Sequence, residues 1–191
     1  MSAAESWLSF IKEVENLKNI RRSAWTSDGS QETTAAHSWR LALMVGLLSE
    51  EDVYEGLNSR RVLMMALVHD LGELYDGDIS AVLRPDPGEK YETEKAAVCR
   101  AVSMLEKKRQ EEILELWEEY ERGETAEARF VKALDKAETI IQHNQGQNPP
   151  DFDYEFNLEY GKPYFQEEGL LRELRERIDG ETREKCRRER E

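Results

Sequence analysis

The amino-acid sequence predicts an all-α protein, a helical bundle of about seven helices. Apolar residues recur every three or four positions along most of the chain, which is the spacing of one helix face, and no stretch shows strand-like alternation. Only eleven glycines and five prolines are scattered through the 191 residues, so few positions interrupt a helix. We predict helices at residues 6–19, 35–50, 59–75, 89–108, 111–122, 125–143 and 166–178.

The first two predicted helices each have an apolar face. On the first, the spacing predicts core packing for Trp7, Leu8, Ile11, Val14 and Leu17. The second is predicted to begin after an N-cap at Thr33 or Thr34, where a side-chain hydroxyl accepts a hydrogen bond from an unpaired backbone N–H. Its predicted buried residues are Leu41, Met44, Val45 and Leu48.

The third predicted helix is nearly all apolar from Val62 to Val68, so we expect it to be central and buried on most sides. It ends in polar residues. His69 and Glu73 are one turn apart and share a face, and Asp70 lies about 100° around the helix from His69. Burying such groups without partners costs several kcal/mol, so a metal ion or a strong hydrogen-bond pair is required there.

The next two predicted helices carry many charges, which we interpret as a solvated face. A loop is predicted at residues 84–88, and Gly123 is predicted to end the fifth helix. In the sixth helix, Asp135 lies within a wide apolar stripe, where the ordinary explanation is an internal salt bridge with Arg129 or a lysine. His143, at the polar end of that helix, is interpreted as a surface residue.

The C-terminal part of the chain changes in composition. Residues 147–165 are rich in Pro, Asp, Asn and aromatic residues, which suggests a loop that covers a site or an oligomer contact. The last helix is predicted to end near Ile178, before a frayed charged tail. We therefore predict one domain over residues 1–180 and a tail over residues 181–191.

The net charge of −14 limits the classes of partner. Nucleic acids and anionic membranes require a basic face, so we expect neither, whereas a small phosphorylated substrate remains compatible if a metal ion and arginines supply positive charge. No apolar run is long enough to span a membrane, and the N-terminus does not resemble a signal peptide. Cys99 and Cys186 lack the spacing of a metal site, so reduced thiols in a cytoplasmic protein are expected.

Arg21-Arg22 followed by Trp25 permits two interpretations. These residues decorate the surface, or they form a phosphate-binding fork beside a stacking platform, since guanidinium matches phosphate oxygens in a bidentate manner. On these residues alone, surface decoration is favoured.

His37, His69, Asp70 and Asp135 are the anomalous residues, and they lie on three predicted helices. Two imidazoles and two carboxylates form a mixed N/O set suited to Mn, Fe, Co, Zn or similar ions, with positions left for water. The order His…His-Asp…Asp resembles that of HD-domain metal-dependent phosphohydrolases, and further segments resemble their 5′-deoxynucleotidase branch. These segments are Leu17-Lys18…Arg22-x-x-Trp25, Ala35-Ala36-His37-Ser38, Ala66-Leu67-Val68-His69-Asp70-x-x-Glu73, Gly77-Asp78-Ile79 and Val131 to Glu138.

The resemblance implies an HD-domain bundle that hydrolyses deoxyribonucleoside 5′-monophosphates and is commonly a homodimer. It implies one divalent ion (Co, Mn, Fe, Zn or Mg) bound by His37, His69, Asp70 and Asp135, which lowers the pKa of a water molecule for in-line attack on phosphorus. Glu73 would be the general acid/base, and Asp78 would orient the substrate or protonate the leaving oxygen. Arg22 would hold the phosphate, and Trp25 would pack against a sugar that lacks the 2′-hydroxyl.

Two departures from the family pattern bear on this assignment. Ala36 stands where an acidic residue usually precedes the first histidine, and Ser23-Ala24 replaces the usual Thr-Gly. Two alternatives remain at this stage. A ppGpp hydrolase is less favoured because that branch carries Glu-Asp where this chain has Glu73-Leu74. A non-catalytic metal-binding scaffold would not need Glu73, Asp78 and Arg22.

Overall fold

Eight α-helices form the fold in the computed structural model, which describes residues 2–83 and 86–188. They are α1 Ala3–Glu13, α2 Thr34–Leu48, α3 Ser59–Val68, α4 Pro87–Val102, α5 Lys107–Arg122, α6 Ala126–Gln145, α7 Glu155–Glu159 and α8 Leu170–Arg188. Short 3₁₀ helices cover Val14–Lys18, Asp52–Tyr54, His69–Glu73, Ala81–Leu83 and Lys162–Phe165. The predicted all-α helical bundle is confirmed.

Side-chain caps set several helix ends. The Thr33 hydroxyl accepts a hydrogen bond from the Ala36 N–H at the start of α2, as predicted for this position, and Thr125 caps α6 in the same way. Gly123 ends α5 in the left-handed conformation, with φ of 64°, which confirms the predicted stop. Local sequence therefore fixes where the site-bearing helices begin.

A two-stranded antiparallel hairpin, β1 Arg21–Trp25 and β2 Gln31–Thr33, was not predicted. Its strands are short and show no apolar alternation, so the periodicity of the sequence does not reveal them. The hairpin contacts the end of α6, where the Gln142 amide donates to the Trp25 carbonyl at 2.6 Å. A Cβ on Gly146 would lie 2.1 Å from that oxygen, so only glycine permits this approach.

Helix α6 contributes buried residues to two of the packing clusters of the core. One cluster joins α6 to α2 and α3 through Leu41, Val45, Met65 and Leu134, and a further cluster surrounds Trp117 of α5. The prediction that α3 is buried on most sides is wrong, because Leu63, Met64 and Leu67 are exposed. The predicted core stripe of the first helix is confirmed only for Leu17, which is buried, and Val14, which is half-buried; Trp7, Leu8 and Ile11 are exposed, and Phe10, which was not predicted, is buried.

Several helix ends differ from the predicted ones. Helix α3 ends at Val68 and a 3₁₀ helix begins at His69, whereas one helix was predicted over residues 59–75. Helix α4 ends at Val102 rather than near residue 108. Helix α8 continues to Arg188, so the prediction of a frayed tail is wrong for residues 181–188. Residues 84, 85 and 189–191, which fall in the predicted loop and tail, lie outside the described residues. The division at residue 180 stays a prediction.

Within the described ranges, no helix combines the length and the apolar character needed to cross a bilayer.

Candidate metal centre and active site

Three elements bring the predicted metal ligands together. His37 lies in the first turns of α2, His69 and Asp70 lie in the 3₁₀ helix after α3, and Asp135 lies in the middle of α6. The Nε2 atom of His37 is 3.2 Å from Asp135 Oδ1 and 3.7 Å from Asp70 Oδ2, and His69 Nε2 is 3.0 Å from Asp70 Oδ1. The four side chains predicted from the sequence therefore form one cluster.

The Nδ1 atoms of both histidines are engaged on the side away from the cluster. His69 Nδ1 donates to the Ala66 carbonyl at 2.9 Å, and His37 Nδ1 donates to the Glu138 carboxylate. A carbonyl oxygen only accepts, so the His69 proton resides on Nδ1 and its Nε2 carries a lone pair. The backbone and Glu138 thus direct both Nε2 atoms into the cluster.

Within the described residues, neither Nε2 atom has a hydrogen-bond partner, and both are buried. The His69 lone pair faces a carboxylate oxygen at 3.0 Å, and two such electron-rich atoms require a positive charge between them. The residues therefore fit a divalent cation, since imidazole nitrogen with carboxylate oxygen is a donor set that such ions prefer.

Protonation of the cluster follows from burial and from its charges. Burial and Arg22 oppose a charge on His37, but Glu138 and Asp135 outweigh them and raise the pKa of His37 to about 10. Burial lowers the pKa of His69. For Asp135, burial is outweighed by Lys136 and the histidines, which hold the pKa of its carboxyl well below the usual range. Without a metal ion, a proton on His37 supplies the positive charge.

A second layer of polar groups surrounds these four side chains, and only a lysine partner for Asp135 was expected from the sequence. Arg40 Nε donates to Glu138 Oε1 at 2.6 Å, the Tyr120 hydroxyl donates to Asp135 Oδ2 at 2.6 Å, and Lys136 Nζ donates to the same oxygen at 2.8 Å. Glu138 lies three residues after Asp135, on the same face of α6, and this spacing is the signal that identifies it in the sequence.

Arg22 is not surface decoration. Its side chain is only 11% exposed, its Nη2 donates to Thr139 Oγ1 at 3.2 Å, and its Nη1 lies 3.9 Å from Asp70 Oδ2. Glu32 is its nearer acidic partner, with Nε to Oε2 at 3.4 Å. Trp25, on the same strand, lines the adjacent cavity. Surface decoration, the interpretation favoured from the residues alone, is therefore wrong for Arg22 and Trp25.

Glu73 and Asp78 lie beside the cluster. Glu73 is buried and its Oε2 accepts a hydrogen bond from Thr34 Oγ1 at 3.0 Å. Burial and the nearby Asp70 and Asp78 carboxylates raise the pKa of Glu73 well above its ordinary value. Gly77, with φ of 85°, turns the chain before Asp78, which is half-buried and lines the cavity.

A cavity of about 700 Å³ opens over the cluster, within the usual range for small-molecule sites. It is lined by Arg22, Trp25, His69, Asp70, Glu73, Asp78 and Asp135, which are seven of the eight predicted site residues. His37 is fully buried behind them. The structure thus brings all eight predicted side chains to one place.

Aromatic residues of the segment 147–165 line another part of the cavity wall. They include Phe152, Phe156 and Tyr160, and the Phe152 ring lies 6.4 Å from that of Trp25. Two roles are predicted for this segment, a loop that covers a site and an oligomer contact. The structure supports the first role. The interpretation of His143 as a surface residue is wrong: it is buried, its Nδ1 lies 2.8 Å from Asn157 Oδ1, and its ring contacts Phe152.

The two departures from the family pattern affect the site differently. Ala36 is exposed while His37 beside it is fully buried, so an acidic residue at position 36 would face solvent rather than the cluster. The carboxylate that contacts His37 comes from Glu138. Ser23 and Ala24 both line the cavity, so this replacement reaches the binding site.

Known proteins resemble this chain in sequence and in fold. A family model described as an HD domain matches residues 14–174. The 5′-deoxynucleotidase HDDC2 of Xenopus laevis is 38% identical over 143 residues, covering 74% of this chain and 69% of that protein. Its human counterpart is 35% identical over 144 residues, with the same shares covered. The crystal structure of a protein described as a predicted metal-dependent phosphohydrolase, from Magnetospirillum magnetotacticum, has a TM-score of 0.80 and 29% identity, covering 98% of this chain and 97% of that one.

Proposed function

The chain belongs to the HD-domain family, in the branch that contains 5′-deoxynucleotidases, and from this membership and the site we propose that it hydrolyses deoxyribonucleoside 5′-monophosphates to a nucleoside and inorganic phosphate. The observation that carries the proposal is the joint presence, on one cavity, of the His/Asp cluster, a buried arginine and a buried glutamate of raised pKa. A scaffold protein needs no such combination, whereas phosphate ester hydrolysis uses all three.

His37, His69, Asp70 and Asp135 would hold one divalent ion, and Co, Mn, Fe, Zn and Mg are the candidates that we propose to test. When bound, the ion supplies Lewis acidity, which lowers the pKa of a water molecule and offsets charge on the phosphate. In this proposal Arg22 binds phosphate oxygens through its planar guanidinium. Its contact with Thr139 holds that group beside the cluster.

Glu73 acts as the general acid/base, taking a proton from the attacking water. Its raised pKa brings it toward the working pH, which is where proton transfer is most effective. Asp78, at the turn after Gly77, orients the substrate or donates a proton to the leaving nucleoside oxygen. Trp25 packs against the deoxyribose, and the aromatic wall that includes Phe152 accommodates the base.

Phosphate release tests this function directly. The metal-loaded protein is assayed with a panel of deoxyribo- and ribonucleoside 5′-monophosphates, 3′-monophosphates and ppGpp, in the presence of Co, Mn, Fe, Zn or Mg. Inorganic pyrophosphatase is added to the ppGpp samples, because removal of the 3′-diphosphate releases pyrophosphate. We expect turnover of the 5′-deoxynucleotides, at a lower rate for the ribonucleotides. Turnover of ppGpp alone would indicate another branch of the family, and no turnover of any substrate by a metal-containing protein would indicate a scaffold.

We further propose that the protein is a homodimer and that an apolar surface of α2 and α3 forms the contact. Leu43 and Leu47 of α2 are exposed next to Leu63 and Leu67 of α3, and Trp39, one turn earlier on α2, is 66% exposed. Gly46 lies against Leu63, so the two rows of side chains are continuous. A patch of this kind on a protein surface marks an interaction site, and a second copy carries the same patch.

Light scattering after size-exclusion chromatography tests the dimer. We expect a dimer for the wild-type chain and a monomer for Leu47→Glu, because a charge would be buried in the contact. Leu8→Glu, at an exposed apolar position of α1, is the matched control and should leave the dimer intact. A monomeric wild-type protein would refute the proposal.

A cytoplasmic location is proposed as well. Cys99 is an exposed thiol, as is usual for proteins kept in a reducing compartment. Fractionation of cells that express the chain at its native level should recover it with soluble cytoplasmic markers. Recovery with membranes or with secreted protein would contradict this location.

A further inference from the structure

Lys132 lies on the same face of α6 as the proposed metal ligand. Lys132, Asp135, Lys136, Thr139 and His143 all line the cavity, and their spacing places them along one stripe of the helix. Neither the sequence patterns nor the proposed mechanism gives Lys132 a role. Its position one turn before Asp135 brings it to the edge of the cluster.

Every other lysine and arginine that the structure describes along this cavity has an acidic partner. Arg22 pairs with Glu32, Lys90 with Glu94 at 2.5 Å, and Lys136 with Asp135 at 2.8 Å. Within residues 2–83 and 86–188, Lys132 makes no hydrogen bond and no ion pair within 4.0 Å. Its ammonium instead lies over the Tyr120 ring, 4.0 Å from the centroid.

The local structure holds this ammonium in place without neutralising it. Tyr120 is fixed by its hydrogen bond to Asp135, and its ring centroid lies 5.0 Å from that of His69, so one aromatic ring separates the Lys132 ammonium from a metal-site imidazole. A Cβ on Gly123 would lie 3.2 Å from Lys132 Cδ and Cε, so the glycine that ends α5 leaves room for the lysine stem.

Arg22 and Lys132 lie on opposite sides of the cluster along α6. Arg22 bonds to Thr139, one turn after Asp135, whereas Lys132 is one turn before it. The seven helical steps from Lys132 to Thr139 span roughly 10 Å along the helix axis. A phosphate seated at the cluster would therefore lie between the positions of Arg22 and Lys132 along the helix axis.

We propose that Lys132 is a second cationic contact to the substrate phosphate, on the side of the cluster opposite Arg22. The proposal deepens the nucleotidase function and rests on it for the identity of the substrate. A phosphate dianion that enters a cavity rich in carboxylates requires more positive charge than Arg22 supplies, since Arg22 is already paired. Burial lowers the pKa of Lys132, and a bound phosphate would reverse this effect.

The test measures inorganic phosphate binding by calorimetry on the metal-loaded protein, which requires no turnover. Lys132→Met is expected to weaken phosphate binding roughly 10- to 100-fold, the usual loss for a charge-assisted hydrogen bond. Lys132→Arg, which keeps the charge, should retain most of the affinity. Lys107→Met, at an exposed lysine of α5, is the control and should match the wild type. With the nucleotide substrate, Lys132→Met should raise KM by a similar factor.

Three results would overturn the proposal. These are unchanged phosphate affinity in a metal-loaded Lys132→Met, equal losses in Lys132→Arg and Lys132→Met, and a metal-loaded wild type that binds no phosphate. If Lys132→Met does not fold or hold metal, Lys132→Gln is measured instead and judged by the same outcomes. A protein that binds phosphate through Lys132 but hydrolyses no nucleotide would refute the proposed function and leave this contact standing.

Discussion

The contacts at the Nδ1 atoms of His37 and His69 decide which nitrogen each ring presents to the cluster. For His69 the partner is a backbone carbonyl, which no side-chain substitution removes. For His37 it is Glu138, which Arg40 in turn holds. The orientation of one ligand thus depends on the fold and that of the other on two further side chains.

Glu138→Gln is expected to weaken metal affinity about 10- to 100-fold, the usual cost of losing a carboxylate behind a ligating histidine. Competition with a chromophoric chelator measures the affinity. Glu124→Gln, at an exposed position before α6, should bind metal as the wild type does. Equal affinities for the two variants would show that Glu138 does not orient His37.

Glu73→Gln should reduce kcat for deoxynucleotide hydrolysis by about 10²- to 10⁴-fold, the contribution of a positioned general acid/base. The amide keeps the size of the side chain but cannot accept the proton. Metal content, measured by mass spectrometry, should stay at the wild-type level. Glu92→Gln, at an exposed position of α4, serves as the control, and full turnover by Glu73→Gln would refute the assigned role.

The raised pKa of Glu73 also predicts a pH-dependent stability. Below the ordinary pKa of a glutamate, about 4.3, the folded and unfolded metal-free chains both hold the proton, so this residue has no effect on stability. Above it, unfolding releases a proton that the folded state retains, and stability falls as the pH rises toward the raised pKa. Glu73→Gln removes this loss.

Thermal unfolding of the metal-free proteins measures this effect. The Tm of Glu73→Gln should exceed that of the wild type at pH 8, and the difference should shrink as the pH falls toward about 4. A difference that does not change with pH would show that the amide acts through packing alone.

Some site residues can be identified from the sequence because residues of their type are rare in the chain or in an apolar helix stripe. The chain has three histidines, and Asp135 interrupts an apolar stripe, so these residues stand out. Glu138, Glu32 and Lys132 do not, because glutamate and lysine are abundant in this chain and on most helix surfaces. His143 at a polar helix end gives no sign that Asn157 and Phe152 bury it.

Helix α8 holds the aromatic wall of the cavity in position. The buried Arg175 of α8 donates to the Asn157 carbonyl at 2.8 Å and to the Tyr160 carbonyl at 2.5 Å. Its Nε donates to Asp179 at 2.6 Å, which fixes the guanidinium. One arginine therefore connects the last helix to the segment that carries Phe156 and Tyr160.

Arg175→Lys is expected to lower the free energy of unfolding by about 2–3 kcal/mol, because a single ammonium replaces the fork of donors and leaves buried carbonyls unpaired. Urea denaturation measures the change. Arg172→Lys, at an exposed arginine nearly one turn earlier on α8, is the matched control and should differ little from the wild type. A cost no larger than the control's would show that these carbonyls find other partners.

Burial is predicted incorrectly for parts of α1 and α3, because their apolar patterns are compatible with more than one arrangement of buried and exposed faces. The apolar residues of α1 form a regular stripe, yet Phe10 is buried while Trp7 and Ile11 are exposed. Helix α3 is apolar on all sides from Val62 to Val68, and periodicity alone cannot distinguish a buried face from a face left for a partner. The 3₁₀ helix at His69 arises from tertiary packing, which propensity does not report.

This acidic molecule has several buried carboxylates around one cavity. The net charge is −14, and Glu73, Glu94 and Asp135 are buried there. The repulsion that Asp70 and Asp78 exert on Glu73 destabilises the folded chain, and a bound divalent cation would offset it. The all-α fold and the location of this site are predictable from the sequence, whereas the charge balance depends on distances that only the folded chain defines.

A divalent ion that binds the folded chain alone should raise its stability by about 2.7 kcal/mol when present at 100 times its Kd. Differential scanning fluorimetry with added Mn or Co should show a higher Tm, and an excess of chelator should reverse it. His69→Ala should show no such shift. A shift that persists in this variant would place the stabilising ion elsewhere.

The cavity-lining residues of α6 limit which sequence changes this protein can accept without losing its site. Because Lys132, Asp135, Thr139 and His143 share a single helix, their spacing along the cavity wall does not depend on any loop. Insertion of one residue between Asp135 and Thr139 would rotate everything downstream by about 100° and remove Thr139 and His143 from the cavity. Substitutions within α6 can thus alter substrate preference, but a change in its length would abolish the site.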